Sequence, residues 1–254
     1  MLVFAGACAA DEPGVDLTSC EAPELYRIDR VELPRNHDEA RRLGLDLDRD
    51  DNAVVDNQLG LVISTLDTQF GPFDLGAVAS GRLAAEVPWS LALRTCGDRV
   101  VVSLGRAEAL DEVQLVGDAG PGALAARGTG GELPLSLMFD PDAAVADPGW
   151  LSGVAMAIEL ERSADGARLS ARLGVALDDT AVFDTVVPPV ARFLDAHRVE
   201  QASAVEHLDR DDDGRVTEQE VRASTVLRSL LAPDLRLDAA PALSFGVGLS
   251  GVRL

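Results

Sequence analysis

Apolar residues recur at two different periods along this chain, and the change of period marks its organisation. Leu59, Val62, Ile63, Leu66 and Phe70 follow the i, i+3, i+4, i+7 spacing of one buried helical face. Asp56 or Asn57 is placed to cap that helix, and Gly71-Pro72 to end it. A second helical stretch is predicted over residues 75–85, stopped before Pro88. From Trp89 the period shortens to two. Residues 89–95 and 99–106 flank Cys96-Gly97-Asp98, a hairpin turn. Residues 113–116 and 133–139 are further short apolar runs, whereas the Gly-rich residues 117–131 read as a loop. Residues 153–161 and 167–177 make the clearest hairpin, with Arg168, Ser170 and Arg172 alternating with small or apolar neighbours.

After Phe183 the helical period returns. Pro188 and Pro189 stand near the start, and Val190, Phe193, Leu194 and His197 lie on one stripe. Helices are predicted to about Leu231, and residues 243–254 read as a closing strand. The expected fold class is therefore α+β: an antiparallel sheet or sandwich with N-terminal helices and a C-terminal helical subdomain. Four segments follow. Residues 1–20 are a short signal-like stretch and tether, 21–184 a mixed helix and β-rich domain, 185–235 the helical subdomain, and 236–254 a strand returning to the sheet.

Composition narrows the chemistry. Apolar types make up 47% of 254 residues, enough to bury a core. A formal charge of -21, from 43 acids against 22 basic residues, opposes binding to nucleic acid or to anionic lipid head groups. Aromatics at 4% argue against a single-strand or carbohydrate stacking platform. Every basic residue is Arg, which reads as the codon bias of a GC-rich bacterial genome. Asp outnumbers Glu 28 to 15, and clustered Asp suits hard cations.

The acids concentrate in one loop above all. Asp209, Asp211 and Asp213 stand at positions 1, 3 and 5, Gly214 at 6, Arg215 at 7, Val216 at 8, Thr217 at 9 and Glu220 at 12. The carboxylates offer oxygens, Gly214 permits a sharp turn, and Val216 can pin the loop to a core. Val205 and Leu208 before the loop, and Val221, Leu227, Leu230 and Leu231 after it, supply flanking apolar faces. This stretch resembles the EF-hand family. The resemblance implies calcium held by Asp209, Asp211, Asp213, the main-chain carbonyl of Arg215, Thr217 and a bidentate Glu220, and it makes residues 185–235 an EF-hand subdomain.

Residues 46–57 begin in the same way, with Asp46, Asp48 and Asp50, but place Asp51 at position 6 and Asn57 at position 12. Two readings stay open. The loop holds calcium through Asp46, Asp48, Asp50 and Asp56, or it is an acidic loop that caps the following helix. Asp234 and Asp238 form a third, sparser acidic pair that reads as solvated.

The N-terminus points to export. Residues 1–7 are apolar and run through Ala-Gly-Ala into Cys8, resembling the end of a bacterial lipoprotein signal whose Cys is lipidated. The overall layout likewise resembles uncharacterised lipoproteins of GC-rich bacteria. In that setting Cys20 and Cys96 are either a disulfide or two unrelated thiols. No run of 18 apolar residues is present to cross a membrane as a helix, and there is no CxxC, HExxH or GxSxG. Residues 246–251 match GxGxxG, but too little chain follows to build a phosphate-binding helix.

The expectation is an extracytoplasmic, lipid-anchored calcium-binding protein in which the ion is mainly structural. A calcium-stabilised envelope hydrolase and a cell-surface adhesion or assembly module are the alternatives. No residue is selected as catalytic.

Overall fold

A computed structural model of the chain describes residues 15–49, 56–70, 77, 80–81, 89–106, 109–119, 124–133, 151–199, 205–237 and 240–254. Nine strands organise them: β1 (Glu24–Glu32), β2 (Trp89–Cys96), β3 (Arg99–Arg106), β4 (Ala109–Asp118), β5 (Leu124–Leu133), β6 (Leu151–Arg162), β7 (Arg168–Leu177), β8 (Leu235–Leu237) and β9 (Ala240–Arg253). Strands β1 to β7 pair antiparallel in chain order, β7 pairs with β9, and β9 pairs back onto β1. The result is a closed eight-stranded up-and-down barrel, with β8 added to β9 as an extra short strand.

The β1–β9 pairing closes the sheet, and side-chain alternation gives the barrel an apolar inside. Val100, Val102 and Leu104 of β3, Met156, Ile158 and Leu160 of β6, Leu173 and Val175 of β7, and Phe245 and Val247 of β9 all enter one apolar core. Eight strands leave an interior about wide enough for side chains to fill, and these apolar residues line it. Charged residues turn outward. Arg172 of β7 meets its cross-strand partner Glu159 of β6, and Arg168 reaches Asp29 of β1 at 3.2 Å. This is the reverse of a lipid-spanning barrel, whose interior is the polar side. Among the described residues no helix is long and apolar enough to cross a membrane.

Helices gather at one end. α1 (His37–Leu43) and α2 (Gln58–Phe70) follow β1, with α1 set against the outer face of β9. A short helical turn Asp179–Ala181 and a wider one, Val182–Val186, lead from β7 into α3 (Val187–His197), which begins at the two prolines. α4 (Glu218–Ala223) and α5 (Thr225–Leu230) precede β8. Leu59, Val62, Val186, Val190, Leu194, Val216 and Val221 belong to the same core as the barrel interior. The opposite end carries the turns after β2 and β6 and the disulfide between Cys20 and Cys96.

The expected α+β sandwich with a C-terminal EF-hand subdomain is therefore overturned. The sheet closes on itself, and the helices are few and short. Residues 205–231 are the barrel's own lid, because their apolar side chains have no core apart from it. The expected loop over residues 117–131 is also corrected, since it contains the end of β4 and most of β5. Its glycines allow close strand approach. A Cβ on Gly117 would lie 1.8 Å from the Ala125 carbonyl oxygen, so a glycine count mistaken for a loop reflects tight pairing. Most of the helix predicted over 75–85, and all but the start of the strand over 133–139, lie outside the described residues.

Two elements carry no mark in the periodicity. β1 holds Tyr26 and Ile28 inward, then shifts register between Ile28 and Arg30 so that Val31 also faces in. The bulge breaks the period-two pattern. α1 is only seven residues, yet Asn36 caps it, Asp38 and Glu39 open it and Arg41 and Arg42 end it, all of which favour a helix.

The edge of β9 facing away from β7 is shared. β1 takes residues 248–253 and β8 takes 240–242. Between them, Asn57 and Asp234 supply side-chain partners to Gly246 and Ser244.

Candidate metal centre

The loop from Asp209 to Glu220 follows α3 at the helical end and runs into the first turn of α4. Leu208 just before the loop and Val216, its eighth residue, are buried, so the acidic stretch between them is pinned at both ends while residues 210–215 face solvent. Its turns are made by its own carboxylates. Asp209 accepts the N–H of Asp213 at 3.1 Å on one oxygen and that of Gly214 at 2.8 Å on the other. Asp211 accepts from Asp213 N–H at 3.3 Å, and Asp213 from Arg215 N–H at 2.8 Å. The backbone turns left-handed at Asp212 (φ 58°) and at Gly214 (φ 79°). Asp tolerates that region better than most residues, and Gly takes it freely.

These turns bring one carboxylate oxygen each from Asp209, Asp211 and Asp213 within 4.8 Å of one another. Three like charges at that spacing repel, and a cation between them removes the repulsion. Oxygen-only donors on a turning loop fit a hard divalent ion.

The remaining expected ligands are placed differently. Thr217 is the N-cap of α4, and Glu220 answers it in a reciprocal capping box. Glu220 Oε2 accepts from both the N–H and the hydroxyl of Thr217 at 2.9 Å, and Oε1 accepts the N–H of Arg210 at 2.6 Å. Burial works to raise the Glu220 pKa, but these donors outweigh it and hold the carboxyl below its usual range. The carboxylate thus spans the loop from its second residue to its ninth. Arg215 sends its side chain to Asp195 of α3, 3.6 Å away, and Val216 N–H donates to the same carboxylate at 2.9 Å. Asp195 was invisible to sequence reasoning, because it stands well upstream and meets the loop only through the packing of α3.

The second acidic loop converges as well. Asp46, Asp48 and Asp56 each offer an oxygen within 4.8 Å of the others, while Asp50 lies outside the described residues. Arg49, at its fourth position, has φ 56°, matching Asp212 in the first loop. Asp56 is buried and accepts Leu47 N–H at 2.6 Å. Burial, with Asp48, Asp234 and Asp46 nearby, pushes its carboxyl up to about 6 against the pull of that hydrogen bond. The loop also contributes to packing: Leu45 and Leu47 join Ala157, Ala176, Leu235 and Ala242 in a small apolar cluster on the outer barrel wall. Arg127 of β5 donates to the Asp46 carbonyl at 2.7 Å. Asn57, the expected position-12 residue, caps α2 by accepting Gly60 N–H at 3.0 Å.

Asp234 is exposed, as its spacing suggests, yet its carboxylate also has a partner across the chain. It accepts both the N–H and the hydroxyl of Ser244. Asp238 and Cys8 lie outside the described residues, whereas Cys20 and Cys96 are joined. The GxGxxG at 246–251 serves packing: a Cβ on Gly246 would lie 2.6 Å from the Leu43 carbonyl oxygen. His197 stacks on Phe193, and His207 is exposed. Comparison with known family models, curated proteins and solved structures finds no match for this chain.

Proposed function

We propose that this protein binds calcium through the loop 209–220 and uses the ion to fasten its helical lid to the barrel. The observation that carries the reading is the convergence of Asp209, Asp211 and Asp213 on a doubly left-handed turn. Those three carboxylates, the main-chain carbonyl of Arg215, Thr217 and Glu220 are the groups that would hold the ion. Calcium would supply charge neutralisation and cross-linking rather than reaction chemistry. By binding the folded state preferentially it raises stability with concentration. Micromolar to submillimolar affinity, roughly 10⁻⁶ to 10⁻³ M, is expected of such a loop. The loop over residues 46–56 is a second, weaker candidate for the same ion.

The protein acts outside the cytoplasm in this reading, held to the envelope by a lipid on Cys8. The Cys20–Cys96 disulfide supports export, because such bonds persist in oxidising compartments. A Cys8→Ser variant that moves from the membrane to the soluble fraction is the expected outcome, and unchanged membrane association would remove the anchor from the proposal.

Calorimetric titration of chelator-stripped protein with calcium tests the main claim. Wild type should take up at least one ion, with Asp211→Asn and Glu220→Gln each weakening uptake at the 209–220 site. Asp211 is the cleaner probe, since among the described residues its carboxylate carries only the 3.3 Å bond to Asp213 N–H. Absence of both heat and thermal shift at millimolar calcium would sink the reading.

A further inference from the structure

The calcium loop is tied to α3 by one carboxylate. Asp195 Oδ1 accepts Val216 N–H at 2.9 Å, Asp195 Oδ2 lies 3.6 Å from the Arg215 guanidinium, and the Arg198 guanidinium lies 3.1 Å from the same side chain. Arg198 also donates to the Asp195 carbonyl at 2.6 Å, which holds that turn of helix in place. Asp195 is mostly buried, with about a fifth of its side chain exposed. Its neighbours Ala191 and Leu194 are anchored in the barrel core. The support is therefore rigid, while the loop it holds is the exposed part of the lid.

The tied group matters because of the peptide unit it belongs to. Val216 N–H and Arg215 C=O share one planar trans amide, so fixing the direction of one fixes the other, pointing the opposite way. That carbonyl is the main-chain oxygen assigned to calcium above. We infer that Asp195 is a positioning residue for the ion: it orients the Arg215 carbonyl without touching the metal, and it makes the loop's affinity depend on the docking of α3. The inference rests on the calcium reading of the same loop. Reciprocity follows, since an ion that tightens the loop also tightens the α3 contact.

Two substitutions separate orientation from charge. Asp195→Ala removes the acceptor and the charge, whereas Asp195→Asn keeps an oxygen for Val216 N–H and removes only the charge. Calcium affinity by calorimetry should fall about tenfold in Asp195→Ala, the scale of one hydrogen bond. It should stay within about twofold of wild type in Asp195→Asn. Melting in chelator, read alongside, should show both variants folded. Wild-type affinity in Asp195→Ala overturns the inference, and so does a fall in Asp195→Asn as large as in Asp195→Ala, which would make the effect one of net charge. A wild type that takes up no calcium fails earlier, and removes the calcium reading together with what is built on it.

Discussion

The side-chain amide of Asn57 pairs with the main chain of Gly246 as a neighbouring strand would, accepting its N–H at 2.8 Å and donating to its carbonyl at 3.1 Å. The same amide donates to the Ala40 carbonyl at 2.9 Å and accepts Gly60 N–H at 3.0 Å. One buried side chain thus completes the β9 edge, ends α1 and starts α2. Asn57→Ala leaves four main-chain groups without that partner and should cost roughly 2–4 kcal/mol in urea unfolding. Asn57→Asp keeps the accepting oxygen but turns a second one toward two carbonyls, so it should also destabilise. A loss under half a kcal/mol for both would show that water replaces the amide.

Gly246→Ala probes the same junction from the other side. The added methyl would meet the Leu43 carbonyl oxygen at 2.6 Å, a backbone atom with little room to retreat. A loss of about 1–3 kcal/mol is expected, with the far-ultraviolet spectrum retained. Wild-type stability would mean that α1 shifts without cost.

Asp56 predicts an unusual pH response. Its folded value of about 6 stands above the ordinary carboxyl value of 3.8, so the fold favours the neutral carboxyl. The stability it contributes is full below about pH 3.8 and is lost as pH rises through about 6. In chelator at pH 7.5, Asp56→Asn should therefore melt higher than wild type, by roughly 1–3 kcal/mol of stability, and the gain should vanish near pH 4. Equal gains at both pH values would point to packing rather than ionisation. Glu220 has the opposite sign: its lowered value gives stability that is present above 4.5 and lost as pH falls through the folded value.

The disulfide closes a loop of 76 residues between the segment before β1 and the end of β2. Cross-linking so long a loop restricts the unfolded chain. Replacing both cysteines by serine should cost about 2–4 kcal/mol, and reductant should bring wild type to the same midpoint. Denaturation curves that coincide with and without reductant would show that the bond contributes nothing.

How much of this was legible in the sequence depends on how local the determining interactions are. The β6–β7 and β2–β3 hairpins follow from alternation and from Gly166 and Gly97, whose positive φ angles make the turns. The acidic loop is equally local, since its turns are closed by its own Asp side chains. Barrel closure was not legible, because a strand's alternation is the same whether its sheet is open or joined to itself. The decisive pairing joins Tyr26 to Arg253 and Glu32 to Gly248, at opposite ends of the chain. Asp195 and Asp234 were hidden for the same reason. Each acts on residues brought near by packing, whereas the helix α1 was spelled out by its caps and simply too short for periodicity to register.

The late position of β9 has a consequence in time. This strand of 14 residues receives β7, β1 and β8, and it presents Gly246 and Ser244 to Asn57 and Asp234. Until it is available, β1 has no partner on one edge and the lid has no wall to dock against. A nascent chain can form hairpins from neighbouring strands, but its ends must find each other across the whole length before the barrel exists, which makes folding slow and all-or-none in its last step. A ribosome thus releases an open, edge-exposed sheet, and β9 joins its two long edges by pairing with both β7 and β1.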